Sequence, residues 1–528
     1  MKDLFKKYKI LILLAVISII GVALFFYRFN QSPPCLNADE VSFSYDAYSI
    51  LKTGRDQYGN FMPLRFKSFG DFKLPLLTYL SVPFIEIFGL NIYGVRLVNF
   101  PFIIIFPFII YLLAKEFFDS EIIALLSSFL INFAPGIITL SRQEHEGFTT
   151  LFFITLATLF FVKLVKKERL KYYLGFFTFL IIALFSYHSS RIWAGFFILA
   201  SAFFVYKKKL SKLGFIALFS LVLLFSVTDV IYYPTRLKSL LFTSNPGFAD
   251  KTGEFQGEGG SRLIYNKLTV ASKDLVYEYI KYFSPQFMVT TGDQNVRFGY
   301  PGMSPITPVE YVFIFIGIYY LFKNKEKWRF LLIAIFLFAP LSASLSWAEA
   351  SVTRSVFIFV PTLLISSYGI INLSKNKKIV FALIAFVYLY FAFYSWDLYL
   401  NHYPKRAYVV RAWQCGYKEL MDYVKDNYNR FDKFYITRRN GQPYIFFLYY
   451  LKYSPQKYQS QAQLSSPDKF GFGQVDGFDK FEFNSPTGKV KNSVIIGYPE
   501  EFDQSERASL KQIKIIGTET IFLIKEVK

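Results

Sequence analysis

Two adjacent acids, Asp39 and Glu40, lie in the stretch Asn37–Tyr48, NADEVSFSYDAY, shortly after an apolar run at 10–27. The stretch reads as a helix that ends at Gly54 in ILKTG. Two carboxylates just beyond a membrane span, on a helix lying against the bilayer surface, suit acid/base work on a lipid-linked substrate. The same residues have a local reading. Asn37 and Glu40 can form a capping box, with Asp39 placed favourably at the positive end of the helix dipole. What decides between the two is which other groups the chain brings to the same face.

Polar groups recur at further points between apolar runs. Lys73 stands in FGDFKLP (Phe69–Pro75), and Arg96 lies near the start of the second run. Arg142, Glu144, His145 and Glu146 fill SRQEHEG, Tyr187, His188 and Arg191 fill SYHSSR, and Glu349 and Arg354 fill SWAEASVTR. Ionisable groups near membrane depth are costly and are candidates for function by default. Each has a plainer role open to it: Lys73, Arg191 and Arg354 as headgroup-seeking side chains, His188 as a structural histidine, and the Glu144–Glu146 group as loop residues. Their shared face argues against all of them being idle.

The elements that must position these groups follow from composition. The 528 residues are 53% hydrophobic and 20% aromatic, and many apolar runs approach the ~20 residues that span a bilayer. The first run lacks a small-residue cleavage site and is read as retained. The net charge of +21 reflects Lys and Arg clusters at Lys2–Lys9, Lys163–Lys171, Lys207–Lys212, Lys323–Arg329 and Lys375–Lys378. Such clusters mark cytoplasmic loops and lipid contacts rather than nucleic-acid binding. Placing them inside gives eleven spans: 10–27, 94–113, 121–140, 149–163, 172–189, 191–206, 213–231, 309–322, 330–346, 354–373 and 379–396. The expected fold is a polytopic α-helical membrane protein with a transmembrane domain at 1–396. Its loops 28–75 and 232–308 are external, and an extracytoplasmic α/β domain follows at 397–528. The amino terminus is cytoplasmic in this reading. Residues 74–88 are apolar but Pro-broken, and read as interfacial or as an extra span.

In the tail, QCGYKELMDYVKDNY reads as an amphipathic helix, and KFYITRR, SVIIGY and TIFLIKEV read as strands. PEEFDQSERASLKQ reads as a helix between the last two. The two cysteines, Cys35 and Cys415, suggest neither a disulfide framework nor a zinc site. In the loop 232–308, the Gly-rich EFQGEGG (Glu254–Gly260) reads equally as an acceptor lid or an ordered surface loop.

Acids and bases gathered at an outer leaflet suit glycosyl transfer from a polyprenyl-phosphate sugar. A carboxylate removes the acceptor proton, Arg and Lys stabilise the departing phosphate, and one displacement inverts the anomeric centre. The residue order resembles the GT-C membrane glycosyltransferases, in particular the protein O-mannosyltransferase and lipid A aminoarabinose transferase group (glycosyltransferase family 39-like). The likeness rests on Asp39–Glu40, on Lys73, Pro75 and Tyr79 in KLPLLTY, on FGLNIYGVRL with Arg96, and on Arg354 followed by Pro361.

The resemblance implies a polyprenyl-phosphate sugar donor and a protein, lipid or glycan acceptor. It implies Asp39 as base beside Glu40, with donor-phosphate or lipid contacts drawn from Lys73, Arg96, Arg142, His188, Arg191 and Arg354. Glu144 and Glu146 are its second-loop candidates. Some relatives hold a divalent metal. Glu144, His145 and Glu146 have the ligand types, but their spacing specifies no site and no metal is assigned. A secondary transporter would instead place its polar groups at mid-membrane on broken helices. A wall-binding scaffold would need neither the acids nor the arginines.

Overall fold

Each of the eleven apolar runs is helical in a computed structural model that describes residues 2–69, 71–232, 246–299, 302–346, 350–466, 474–485, 491–515 and 519–528. Among the described residues, five helices are long and apolar enough to cross a membrane unaided: Tyr8–Phe26, Ile92–Phe118, Glu146–Lys166, Val356–Leu373 and Lys378–Lys405. A sixth forms if Glu121–Phe133 and Pro135–Ser141 are one span, bent by 58° where Pro135 lacks the amide that would continue the helix. Leu170–Leu184, Ser190–Tyr206, Pro308–Lys323 and Arg329–Ser344 are shorter, and Lys212–Tyr232 has 21 residues. The chain is a multi-pass helical membrane protein. The helix Pro75–Phe88 has 14 residues, about 21 Å at 1.5 Å per residue, too short for a ~30 Å hydrocarbon core.

The chain divides into two compact units. The first comprises Met1–Tyr27, Asn99–Arg142 and Glu146–Tyr399. Its span Val356–Leu373 is almost wholly enclosed by protein, whereas Lys378–Lys405 shows most of its surface. The enclosed helix meets Pro308–Lys323 through paired glycines: a Cβ on Gly369 would lie 2.8 Å from the Gly317 amide nitrogen. Small residues allow this close backbone approach between membrane helices.

The second unit comprises Arg28–Val98, Gln143–His145 and Leu400–Lys528. The tail segment of this unit begins at Leu400. The first long loop folds with it. Strands β1 (Phe66–Ser68) and β2 (Asp71–Lys73) make an antiparallel hairpin. The tail carries β3 (Lys433–Ile436), β4 (Gln463–Leu464), β5 (Val475–Phe478), β6 (Phe481–Glu482), β7 (Ser493–Gly497), β8 (Lys511–Ile515) and β9 (Glu519–Val527). They form one sheet in the order β4-β5-β6-β3-β7-β9-β8, with β3 parallel to both neighbours and the other pairs antiparallel.

The predicted tail helix is present as Tyr417–Asn427, and Tyr417 stacks on Phe446 at 4.1 Å. PEEFDQSERASLKQ is not a helix. It is a short turn at Pro499–Glu501, further turns, and then the edge strand β8. Glu501 reaches back to the Tyr498 amide and accepts from Thr437.

The loop helix Ala38–Thr53 packs against Tyr444–Tyr450 of the tail, and Tyr45 Oη donates to the Tyr453 carbonyl at 2.9 Å. A disulfide joins Cys35 to Cys415 across 380 residues, where the sequence suggested no disulfide framework. Nothing in so wide a spacing signals the pair. Its position ties the chain just before Asp39 to the tail. Replacing both cysteines by serine should lower the unfolding free energy of this unit by about 2–4 kcal/mol. Thermal melts with and without reductant test it. Parent and variant curves that coincide in both conditions would mean that the pair carries no stability.

Candidate functional site

The helix Ala38–Thr53 begins as the local reading requires. Asn37 is its N-cap, accepting from the Asp39 and Glu40 amides at 2.9 and 3.2 Å, and Glu40 Oε2 accepts from the Asn37 amide at 3.2 Å. Gly54 closes it in the left-handed conformation, φ 67°, where a side chain would be strained.

Glu40 does more than cap. It is buried, and Arg96, fully enclosed, donates to it from Nε at 3.0 Å and from Nη2 at 3.2 Å. Arg96 also donates to the Pro33 and Cys35 carbonyls, the second being the backbone of a disulfide residue. The Glu144 amide donates to Glu40 Oε1 at 3.2 Å. Arg96 therefore does not fit the donor-phosphate contact expected from its place near a helix end. Four of its N–H groups are already engaged, and it has no surface to offer. Glu40 likewise has a structural partner at each oxygen.

Asp39 points elsewhere. Its side chain is 37% exposed and its Oδ1 lies 3.1 Å from Lys73 Nζ, itself only 12% exposed. The ammonium rests over the Phe43 ring at 4.1 Å and near Phe69 at 5.2 Å, so it is held by the hairpin and the helix together and does not snorkel.

Behind this pair lie two buried acids. Glu144 accepts from Ser44 at 2.7 Å and from Ser81. Burial pushes its carboxyl up to about 8, aided by Glu40 and opposed by the two serines and by Lys73. Asp46 is also raised to about 8 by burial and by Asp56, against hydrogen bonds from Gln57 and the charge of Lys73. Lys73 thus faces three carboxyl groups. Of these, Asp39 is the exposed one.

The remaining candidates lie in the first unit. Arg142 is fully buried and donates to the Leu24 and Phe25 carbonyls, satisfying the last turn of the amino-terminal helix. It is taken up there rather than presented to a phosphate. Tyr187 accepts from Arg354, and both Arg354 and Glu146 act on its charge. Those three residues are brought together. Arg354 Nη1 also donates to Ser346 at 2.7 Å. His188 and Arg191 are half-buried at the junction of Leu170–Leu184 with Ser190–Tyr206. Glu349 lies outside the described residues.

Asp293 was not picked out by sequence pattern. It is buried, accepts from the Val352 amide at 2.7 Å, and is pushed up to about 6 by burial. Its signal, a lone Asp in TGDQN, looks like any turn. Among the described residues no three His, Cys, Asp or Glu side chains converge as a metal-ligand set. Glu144, His145 and Glu146 are not gathered there as one ligand set.

Over residues 73–233 the sequence matches the family model of dolichyl-phosphate-mannose-protein mannosyltransferase. In fold the chain is similar to the oligosaccharyltransferase of Archaeoglobus fulgidus tethered with an acceptor peptide. That likeness has a TM-score of 0.53 and 15% identity, covering 84% of this chain and 63% of that one. It is also similar to ArnT from Cupriavidus metallidurans in the apo state, with a TM-score of 0.54 and 10% identity over 96% of both chains. The fold is that of the GT-C glycosyltransferases.

ArnT has also been solved bound to undecaprenyl phosphate, a likeness with a TM-score of 0.51. The chain spans less than two thirds of the archaeal enzyme. No curated protein matches it in sequence. Lys73, Arg96, Glu144 and Arg191 lie within the matched residues, Asp39 and Glu40 before them and Arg354 beyond.

Proposed function

We propose that the chain is a polyprenyl-phosphate-sugar-dependent glycosyltransferase. It moves a hexosyl or pentosyl unit to a protein, lipid or glycan hydroxyl on the outer face of the membrane, with inversion. The observation that carries the reading is the Asp39–Lys73 pair, a partly exposed carboxylate beside an ammonium at the first turn of an otherwise buried helix. Asp39 takes the acceptor proton. The hydroxyl oxygen then attacks the anomeric carbon as the bond to the phosphate oxygen breaks, and the lipid phosphate leaves with the electron pair. Lys73, beside Asp39 in the same unit, is the cation assigned to the growing phosphate charge, since it is not sealed as Arg96 is.

Support for a lipid donor comes from relatives solved with undecaprenyl phosphate and dolichol-phosphate. Support for an outward-facing site comes from the basic clusters, which fit the positive-inside rule, and from the Cys35–Cys415 disulfide, which suits an oxidising compartment.

Purified protein in nanodiscs, given a panel of polyprenyl-phosphate sugars, should release polyprenyl phosphate stoichiometrically with glycosylated acceptor. Release of neither product from any donor, by protein that binds those donors, would overturn the reading.

A further inference from the structure

The segment Arg262–Lys281 has no place in the chemistry above and shows an unusual surface. Its helix Lys267–Lys281 turns Val270 and Ala271 inward against Phe255, and Asp274 pairs with Lys251 at 2.8 Å. The opposite face carries Leu268, Val276 and Ile280, at 75%, 55% and 59% exposure. With Ser272 they occupy positions four residues apart, a single row along the helix. Leu263 and Ile264, just ahead of the helix, are exposed at 85% and 61%. Arg262 precedes the row and Lys273 sits beside it on the helix.

We propose that this segment is an in-plane membrane anchor, seated on the headgroup region of the bilayer that the neighbouring spans cross. Three observations select a lipid surface over a protein partner. The segment lies in the chain between two apolar helices, Lys212–Tyr232 and Pro308–Lys323, so both of its ends return to the bilayer. Its apolar row has Arg262 ahead of it and Lys273 beside it, residue types whose stems reach along apolar surface while their charges meet lipid phosphate. The exposed Tyr277 beside the row is the aromatic type that gathers at membrane interfaces. The anchor holds the long loop at headgroup level. It stands whether or not the chain transfers sugar.

Cys35 and Cys415 are paired, so Ser272→Cys supplies the reactive thiol for an environment-sensitive fluorophore on full-length protein. The labelled protein is reconstituted in phosphatidylcholine/phosphatidylglycerol vesicles, with Gln504→Cys, on the exposed tail surface, as the reference. At position 272 the emission should be blue-shifted and quenched about twofold or more by lipids doxyl-labelled near the headgroup, while the 504 label stays unquenched. Adding Leu268→Glu and Ile280→Glu should return the 272 label to water-like emission in protein that still elutes as one folded species.

Water-like emission in the parent overturns the anchor. So does blue-shifted emission that the doxyl lipids do not touch, which would put protein on this face. Quenching unchanged by the two glutamates overturns it as well.

Discussion

Asp39→Asn is expected to lower turnover by about 10²–10⁴-fold, the usual weight of a general base, with little change in thermal stability. Asparagine keeps the size and hydrogen-bonding reach of the acid but cannot take a proton at neutral pH. The structural cost is small for three reasons. The N-cap is Asn37, not Asp39, so the cap survives. The favourable dipole term lost at the first turn is about 0.3–1 kcal/mol. The ion pair with Lys73 involves a carboxylate 37% exposed, so solvent already screens it and its loss costs about 0–1 kcal/mol. The measurement is sugar transfer from a polyprenyl-phosphate donor, with melting curves on the same preparations. Near-normal turnover would sink the mechanism. A collapsed melting curve would show that Asp39 is structural after all.

How much of this was legible in the chain depends on the scale of the signal. Apolar runs are local, and every one of the eleven is helical. Asn37, Glu40 and Gly54 announce one helix by local chemistry alone. In the tail, period-two alternation was also present at KQIKI. PEEFDQSER has a helical look ahead of it, and the strand exists through its ladder to β9.

What failed was everything decided by distant partners. Cys35 meets Cys415 across 380 residues. Arg96 and Arg142 looked like Lys73, basic groups at helix ends, yet two of the three are spent on buried carboxylate and carbonyl oxygens. Residue type cannot separate a cation that meets a ligand from one that satisfies the fold. Burial can.

The same distinction gives Glu40→Gln a different meaning from the one its neighbour suggests. By capping alone the change is mild, because glutamine still reaches back to the Asn37 amide. The structure adds Arg96, fully buried, with Glu40 as the carboxylate at its guanidinium. Removing that charge leaves an uncompensated cation out of water, which costs about 3–5 kcal/mol. Glu40→Gln should therefore melt well below Asp39→Asn, and its residual activity should follow the folded fraction rather than the turnover of each folded molecule.

Arg96→Met alone should also be destabilising, since it strips Glu40 of its partner. The double variant should be less destabilised than the sum of the two, because neither charge is then left unpaired. Because Arg96 also binds the Cys35 carbonyl, the loss should be larger when the Cys35–Cys415 disulfide is reduced. A Glu40→Gln protein that melts with the parent would show that the pair stabilises nothing. One that melts normally yet has lost turnover per folded molecule would move Glu40 from the scaffold into the chemistry.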